Sequence, residues 1–402
     1  MKRIIFFLSV LVCTFANSNT VNAISQIDTN FNPNPIGFSV AEIELQEDQK
    51  ILVGGSFVSI AGVNLPAQSE LDATVVRLNP DGTLDDEFQP VILPGVITSM
   101  AIQANGRILI GTSVGLTRID QDGNIDEDYQ SAVSGFIGDI QIQDDGLAVV
   151  GGSFTNLIGG ITRLNEDGSR DQNFEAGLGT QRFGQGSELI SGVVRTIEFQ
   201  SNLNRILIAG DFTFVDGERR YMIARLGPDG SIDKNFEPVI LDGDDEPTLT
   251  EVFDIVVQPD GQILIGGQFR FIDGFPRNNY ARLNSDGTLD QTFQVGSGAL
   301  PFAETTNVSN IVLQPDGDIL LSGSFEQLNG QTVSNFGRLN SDGTPDRFFQ
   351  IEGSIGSRSD VLLQQNGDIL ISGRGGASLV RVNVSSPTTF LIPIILKLLE
   401  EE

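Results

Sequence analysis

Six arginines in this 402-residue chain are each followed eight residues later by an aspartate: Arg77/Asp85, Arg118/Asp126, Arg163/Asp171, Arg225/Asp233, Arg282/Asp290 and Arg338/Asp346. A seventh, Arg381, has no such partner downstream, and Asp28 has no arginine eight residues before it. A guanidinium and a carboxylate at fixed spacing can act as a catalytic dyad or as a structural ion pair. A catalytic site is normally unique, whereas a structural device repeats, so the recurrence assigns these pairs to structure.

Cation chemistry is the next reading the residues allow. Asn79-x-Asp81-Gly82-x-x-Asp85 sets hard oxygens at short intervals, but it is much shorter than a twelve-residue calcium loop and lacks the bidentate Glu. Asp242, Asp244, Asp245 and Glu246 form the better, though weak, calcium candidate, with several hard ligands in one long loop. A solvated acidic loop is the competing reading there, and no other cofactor is indicated. Calcium-dependent assembly is carried as a third functional option.

Enzyme chemistry has little to draw on. The chain has no His, and its single cysteine, Cys13, lies in the leading segment. That removes a His-based triad, a thiol nucleophile and a His/Cys zinc site. A carboxylate-pair hydrolase stays open, since 53 acidic residues make some pair inevitable. The pairs Gly54-Gly55, Gly151-Gly152 and Gly266-Gly267 lie in strand-like sequence with no following helix, which excludes a phosphate loop and suggests close backbone approach instead. Arg219, Arg220, Phe275, Arg277 and Tyr280 are candidates for a mixed basic and aromatic binding patch, against the plainer reading of ordinary surface.

The elements that must position these residues repeat. An apolar strand ending in Gln recurs at Gln46, Gln103, Gln143, Gln200, Gln258, Gln314 and Gln364. A second strand of the type Ile51-Leu52-Val53-Gly54-Gly55-Ser56-Phe57 follows each, then the Arg-Leu-Asn hairpin. The period of roughly 40–60 residues is that of propeller blades. In Asn79-Pro80-Asp81-Gly82, Asn, Pro and Asp suit a type I turn and Gly the left-handed position after it. That register sets Leu78 opposite Leu84 and Arg77 opposite Asp85. The same offset sets Arg118 opposite Asp126 in the second unit, so each pair is expected to lie across two paired strands.

The seventh unit stops after Arg381-Val382-Asn383, and its missing strand stands at the other end as Ile27-Asp28-Thr29-Asn30-Phe31. Pairing the two closes the array and brings Arg381 to Asp28, which removes exposed sheet edges. The expected fold is all-β: a seven-bladed β-propeller of four-stranded antiparallel blades over residues 24–386. The Asp-Gly turns crowd one face of such a disc, and the loops of variable length the other. The variable stretches are 59–73, 176–191, 239–251 and 295–307.

Residues 1–23 read as a signal peptide, with Lys2 and Arg3 before the apolar run Ile4–Phe15 and cleavage near Ala23. Net charge is -29, and removing that segment makes the chain more negative still. Such a surface disfavours nucleic acid. Residues 387–402 form an apolar tail ending in three Glu, too short to span a membrane.

The segments Val257–Phe269 and Ala281–Asp290 resemble the delta-60 repeat, a β-propeller repeat family of unassigned function in secreted and surface bacterial proteins. The resemblance implies a propeller and export, and brings no catalytic residues. The expected function is that of an exported, periplasmic, cell-surface or extracellular interaction scaffold, binding a protein or glycan through the variable-loop face. The alternative is a carboxylate-based hydrolase or lyase acting on an extracellular polymer.

Overall fold

Asn79-Pro80-Asp81-Gly82 forms a tight hairpin turn. Gly82 donates its N–H to the Asn79 carbonyl at 2.9 Å, and Asn79 donates to the Thr83 carbonyl at 2.8 Å. Gly82 sits at φ +88°, a left-handed conformation that glycine alone adopts without steric cost. The Asp81 carboxylate accepts from the Thr83 N–H at 3.0 Å and its hydroxyl at 2.7 Å, locking the turn from within. Leu78 bridges to Leu84 across it, as Leu226 does to Ile232 and Leu283 to Leu289.

The computed structural model describes residues 26–65, 72–157, 159–175, 177, 179–183, 189–241, 250–301, 306–349, 351, 360–373 and 378–384. Residues 1–23, expected to be a signal peptide, and the tail 387–402 lie outside them. Among the described residues the chain is all-β apart from a 3-10 turn at Ser201–Leu203, and no helix is long and apolar enough to cross a membrane.

Among the described residues, seven antiparallel sheets carry the repeated strand pattern. Their inner strands are Ile36–Leu45, Ile97–Ile102, Gly135–Ile142, Val193–Gln200, Glu251–Val257, Asn307–Leu313 and Val361–Leu363. Each inner strand packs against that of the following unit, and Val361–Leu363 packs back against Ile36–Leu45. The middle strands are covered on both faces: Ile51–Gly55, Ile108–Thr112 and Ile369–Gly373 are buried throughout, which is why their sequences do not alternate. Apolar side chains of adjacent units share each core layer. Leu264, Tyr280 and Phe293 of the fifth unit meet Val308, Ile311 and Leu321 of the sixth. Each such side chain contributes about 1.5–3 kcal/mol on burial.

The N-terminal strand Gln26–Ile27 pairs with the last strand, Ser378–Asn383, through Gln26↔Asn383 and Ile27↔Val382. Among the described residues a fourth strand forms a ladder only here and in the first unit, where Val91–Pro94 pairs with Asp72–Leu78. In the first unit that ladder comes from beyond Phe88, and there as in the intervening units the expected fourth strand shrinks to a single bridge, such as Leu78↔Leu84 and Leu164↔Arg170. Asp126 shows the correction this brings. Contrary to the expectation of a partner on a fourth strand, it lies outside any strand, just past the isolated Ile119↔Ile125 bridge. One backbone bond keeps the expected register, from the Asp126 N–H to the Arg118 carbonyl at 2.9 Å, and the Tyr129 N–H then turns back to the Asp126 carbonyl at 3.1 Å. That turn ends the strand, because the residues after Asp126 fold inward to bring their aromatic ring under the arginine. The other units bend at the same point, their Asp and aromatic both engaged by the unit's arginine.

The variable-loop face also departs from expectation, because much of it is regular. Phe214–Val215/Glu218–Arg219, Phe271–Ile272/Phe275–Pro276 and Gln327–Leu328/Gln331–Thr332 are short hairpins. Their turns, Asp216-Gly217, Asp273-Gly274 and Asn329-Gly330, have positive φ at both residues, the hairpin geometry that matches strand twist. Each hairpin takes a further strand from the connection before its unit: Thr180–Phe183, Ile240–Leu241 and Ala299–Leu300. Three small sheets thus stand on this face above the fourth, fifth and sixth units.

Candidate functional site

The Arg/Asp pairs are where structural chemistry concentrates. Arg77 reaches Asp85 at 2.5 Å, Arg163 reaches Asp171 at 2.6 Å, Arg338 reaches Asp346 at 2.6 Å and Arg381 reaches Asp28 at 2.5 Å. Arg118/Asp126, Arg225/Asp233 and Arg282/Asp290 close at 2.9, 2.9 and 2.8 Å. Each guanidinium also lies over an aromatic ring of its own Asp-x-x-aromatic segment, from 4.3 Å for Tyr129 to 5.1 Å for Phe174. A third contact points to the next unit. Arg77 donates to the Gln121 carbonyl at 2.6 Å, Arg163 to Pro228 at 2.7 Å and Arg282 to Ser341 at 2.8 Å, all in the neighbouring hairpin turn. Asp85, further held by Lys50 at 2.9 Å, is thus fully committed within the fold.

The pairs are not seven equal copies, and Asp126 differs from the one-to-one pairing expected of it. Its side chain keeps 12% exposure against 6% for Asp85, and a second guanidinium, that of the half-exposed Arg107, stands 3.6 Å away. Asp233 is similar, with Arg205 at 3.9 Å beside Arg225. The second base comes from the start of the middle strand, at the position Lys50 occupies in the first unit. Asp126 therefore sits between two arginines at the rim of its unit, a structural anchor that is less enclosed than Asp85 or Asp171.

Two of the five contact-patch candidates, Tyr280 and Arg220, are buried. Tyr280 is core, its hydroxyl donating to the Val295 carbonyl at 3.3 Å. Arg220 is buried, bonded to the Arg219 and Asp233 carbonyls and 3.5 Å from Glu237. Arg277 is turned onto the Pro276 carbonyl. Arg219, against Phe214 and Tyr221, and Phe275 remain at the surface. The calcium candidate Asp242, Asp244, Asp245 and Glu246 lies outside the described residues. Among those described, no three His, Cys, Asp or Glu side chains stand close enough to hold a metal.

The acids that do converge line the centre of the ring. A cavity of about 620 Å³ is bounded by all seven inner strands. Phe136, Glu251 and Asn307 come from the starts of their inner strands, and Glu44, Gln141 and Glu198 from near the ends that lead to the Gln anchors. Glu42, Asp139, Asp254 and Asp360 lie between them, and Arg195 is the one basic side chain among the described lining residues. Arg195 is neutralised by Glu251 and stacks at 5.1 Å on Phe136.

A bulge builds this lining. Pairing skips one residue at the same place in six inner strands, as between Ile137 and Asp139, Val194 and Thr196, and Val252 and Asp254. The extra residue re-aims its neighbours, so both it and the next side chain face the cavity. The Gly-Gly pair of the middle strand lies opposite. A Cβ on Gly267 would sit 2.2 Å from the Glu251 carbonyl oxygen, and one on Gly266 would sit 2.8 Å from Val308 of the next unit.

The residue after the bulge staples units together. Asp139 accepts from Ile140 N–H at 2.7 Å and from Ile197 N–H of the next unit at 2.7 Å. Asp254 does the same with Ile255 at 2.8 Å and Ile311 at 2.6 Å, and Asp360 with Val361 at 2.8 Å and Ile43 at 2.9 Å. Burial pushes the Asp139 carboxyl up from its ordinary value. It pushes Asp254 well above that value, with the charges of Glu198 and Asp139 adding to the effect. Glu44 is pushed up to about 8, first by burial and then by Asp360 and Asp139. Its side chain is half-buried and lines the cavity. Glu198 is pushed up to about 7 by burial and by Asp139, its carboxylate accepting from Val257 N–H at 3.3 Å.

The reading of variable loops missed this cavity, although a signal was present. Four residues before every Gln anchor the chain places a polar residue: Glu42, Ser99, Asp139, Thr196, Asp254, Asn310 and Asp360. Polar residues in the middle of seven apolar strands need a shared wet or hydrogen-bonded environment.

Comparison with known proteins agrees on the fold. Residues 46–88, 143–174, 204–236, 258–293 and 314–349 match a family described as domain of unknown function (DUF5122) beta-propeller. A catalytically inactive virginiamycin B lyase from Staphylococcus aureus, solved with quinupristin, superimposes with a TM-score of 0.53 at 13% identity, covering 89% of this chain and 98% of that one. The WD40 beta-propeller domain of Doa1 gives 0.49 at 13% identity, covering 88% and 95%. A gluconolactonase from Xanthomonas campestris gives 0.42 at 12% identity, covering 87% and 88%. No curated protein matches the chain. The family match and the virginiamycin B lyase superposition together support a β-propeller fold built from repeats.

Proposed function

We propose that this is an exported, non-enzymatic binding scaffold: a seven-bladed propeller, closed by its N-terminal strand, that recognises its ligand in the central cavity. Export rests on the Lys2-Arg3 and Ile4–Phe15 segment and on the delta-60 resemblance. The observation that carries the binding reading is the state of the cavity acids. Asp139, Asp254 and Asp360 are bound to backbone amides of two units each, so they are held as fixed recognition groups and not as mobile bases. A cavity of this volume suits a small molecule or a protruding side-chain segment of a larger partner. The small sheets on the loop face flank its approach and are where a protein or glycan partner would add contacts.

A carboxylate-based hydrolase is the second reading, and Glu44 and Glu198 favour it, since both hold protons near neutrality as a general acid must. Native mass spectrometry of the full chain after incubation with an extract of extracellular material separates the two. The binding reading expects a small molecule retained unaltered by the wild type and lost from a folded Glu198→Arg variant, whose new side chain would fill the cavity. Conversion of the retained molecule would support the hydrolase. Equal retention by the variant would place the ligand elsewhere and sink the cavity reading.

A further inference from the structure

We propose that the central cavity takes an organic cation with two or more ammonium groups, a linear diamine or oligoamine. This rests on the cavity being the binding site and names the class of ligand it takes.

Three observations point to that class. The lining carries acids from five different units, Asp139, Glu198, Asp254 and Asp360 among them, against the single base Arg195, and that base is already neutralised by Glu251. The acids are spread out and do not cluster: no three among the described residues can share a metal ion. They occupy two levels. Asp139 and Asp254 stand four residues before a Gln anchor, Glu44 and Glu198 two. Two residues of strand separate the levels by about 6.6 Å, a distance that a short alkyl chain between two ammonium groups can span. A compact divalent cation could satisfy only one level.

The acceptor atoms on other lining residues are also the right kind. Among the described residues no side chain donates to Glu44, which is half-buried in the cavity lining. Asn310 and Thr98 line the same cavity, and their Oδ1 and Oγ1 atoms have no hydrogen-bond partner, while the Asn310 amide donates to Asp360. All three groups can accept from an ammonium, which offers three donors and no acceptor. The stack of Phe136, Arg195 and Glu251 shows one cation already held between an aromatic face and a carboxylate.

Isothermal titration of the purified full chain with putrescine, spermidine, butylamine and magnesium chloride tests the assignment. Putrescine or spermidine is expected to bind saturably, at least about tenfold tighter than butylamine or magnesium, which corresponds to about 1.4 kcal/mol. Glu44→Gln and Glu198→Gln, checked for unchanged folding, are expected to weaken that binding by a similar factor. Protons should be released on binding at neutral pH, visible as a dependence of the heat on buffer. Absent saturable amine binding, an equal affinity for magnesium or butylamine, or unaltered affinity in both variants would overturn it. Should a variant fail to fold, the ligand series on the wild type decides alone. Retention of some other molecule in the cavity without amine binding would refute the ligand class and leave the binding reading standing.

Discussion

Arg381 and Asp28 are separated by 353 residues in sequence, and their side chains meet at 2.5 Å. The same guanidinium lies 4.7 Å from the Phe31 ring and donates to the Pro80 carbonyl at 2.7 Å. Arg381 therefore ties the last unit to the N-terminal strand and to the first unit's hairpin at once. Within the other units, arginines such as Arg163 make the same three contacts locally and to the next unit.

Replacing Arg381 with Ala should destabilise the protein by about 3 kcal/mol, because a largely buried carboxylate loses its partner. The unfolding midpoint in urea measures this. Asp28 is held below its ordinary value mainly by the hydrogen bond from Arg381, with burial opposing. That stability is present above about 3.8 and is lost as pH falls through the lower folded value. A midpoint unchanged in Arg381→Ala would mean that the ring does not depend on this closure.

The cavity acids predict the opposite slope. Glu44 and Glu198 titrate at about 8 and about 7 in the fold, against 4.5 for an unperturbed Glu. The folded state then binds more protons than the unfolded chain in this window, so stability falls as pH rises from about 4.5 to about 8. Glu44→Gln should raise the melting temperature at pH 8 and leave it unaltered at pH 4. Equal effects at both values would show that Glu44 is solvated in the fold.

Removing a staple should loosen one seam. Asp254→Ala leaves the Ile311 N–H without its 2.6 Å acceptor, at a cost of about 1–3 kcal/mol. Hydrogen exchange should accelerate at Ile311 and its neighbours while distant amides such as Ile43 keep their protection. Uniform acceleration would instead assign the staple to global stability.

The bulge makes a steric prediction. Gly267→Ala sets a Cβ 2.2 Å from the Glu251 carbonyl oxygen, so the backbone must shift, with a loss of roughly 1–3 kcal/mol by the overpacking scale. Thermal melting measures it, and a midpoint within a degree of wild type would show that the bulge can relax without cost.

Much of this protein is legible in its amino-acid sequence. Asn79-Pro80-Asp81-Gly82 specifies its own turn because each residue suits one backbone position. The Arg/Asp spacing is a register, and register follows from that turn. Even the closing pair was visible, since Ile27–Phe31 carries the pattern the last unit lacks. The length of the fourth strand was not: Asp126 keeps its register to Arg118 but stands at a bend, since the aromatic three residues on is drawn to the guanidinium. The binding-patch residues were a different matter: Tyr280 and Arg220 are polar-tipped residues whose burial depends on neighbouring segments, and composition does not reveal it.

Sequence alone determined the repeat, its hairpins and the ends that must meet, because these rest on contacts within about ten residues or on copies of one pattern. Tertiary structure decided that Glu44, Asp139, Glu198 and Asp254 share one cavity. Their convergence depends on a one-residue bulge in each of their inner strands and on how strands from distant units pack around a common axis. Local propensity does not encode either. Electrostatics then acts on that packing: acids unremarkable in isolation become proton-holding when burial and like charges surround them.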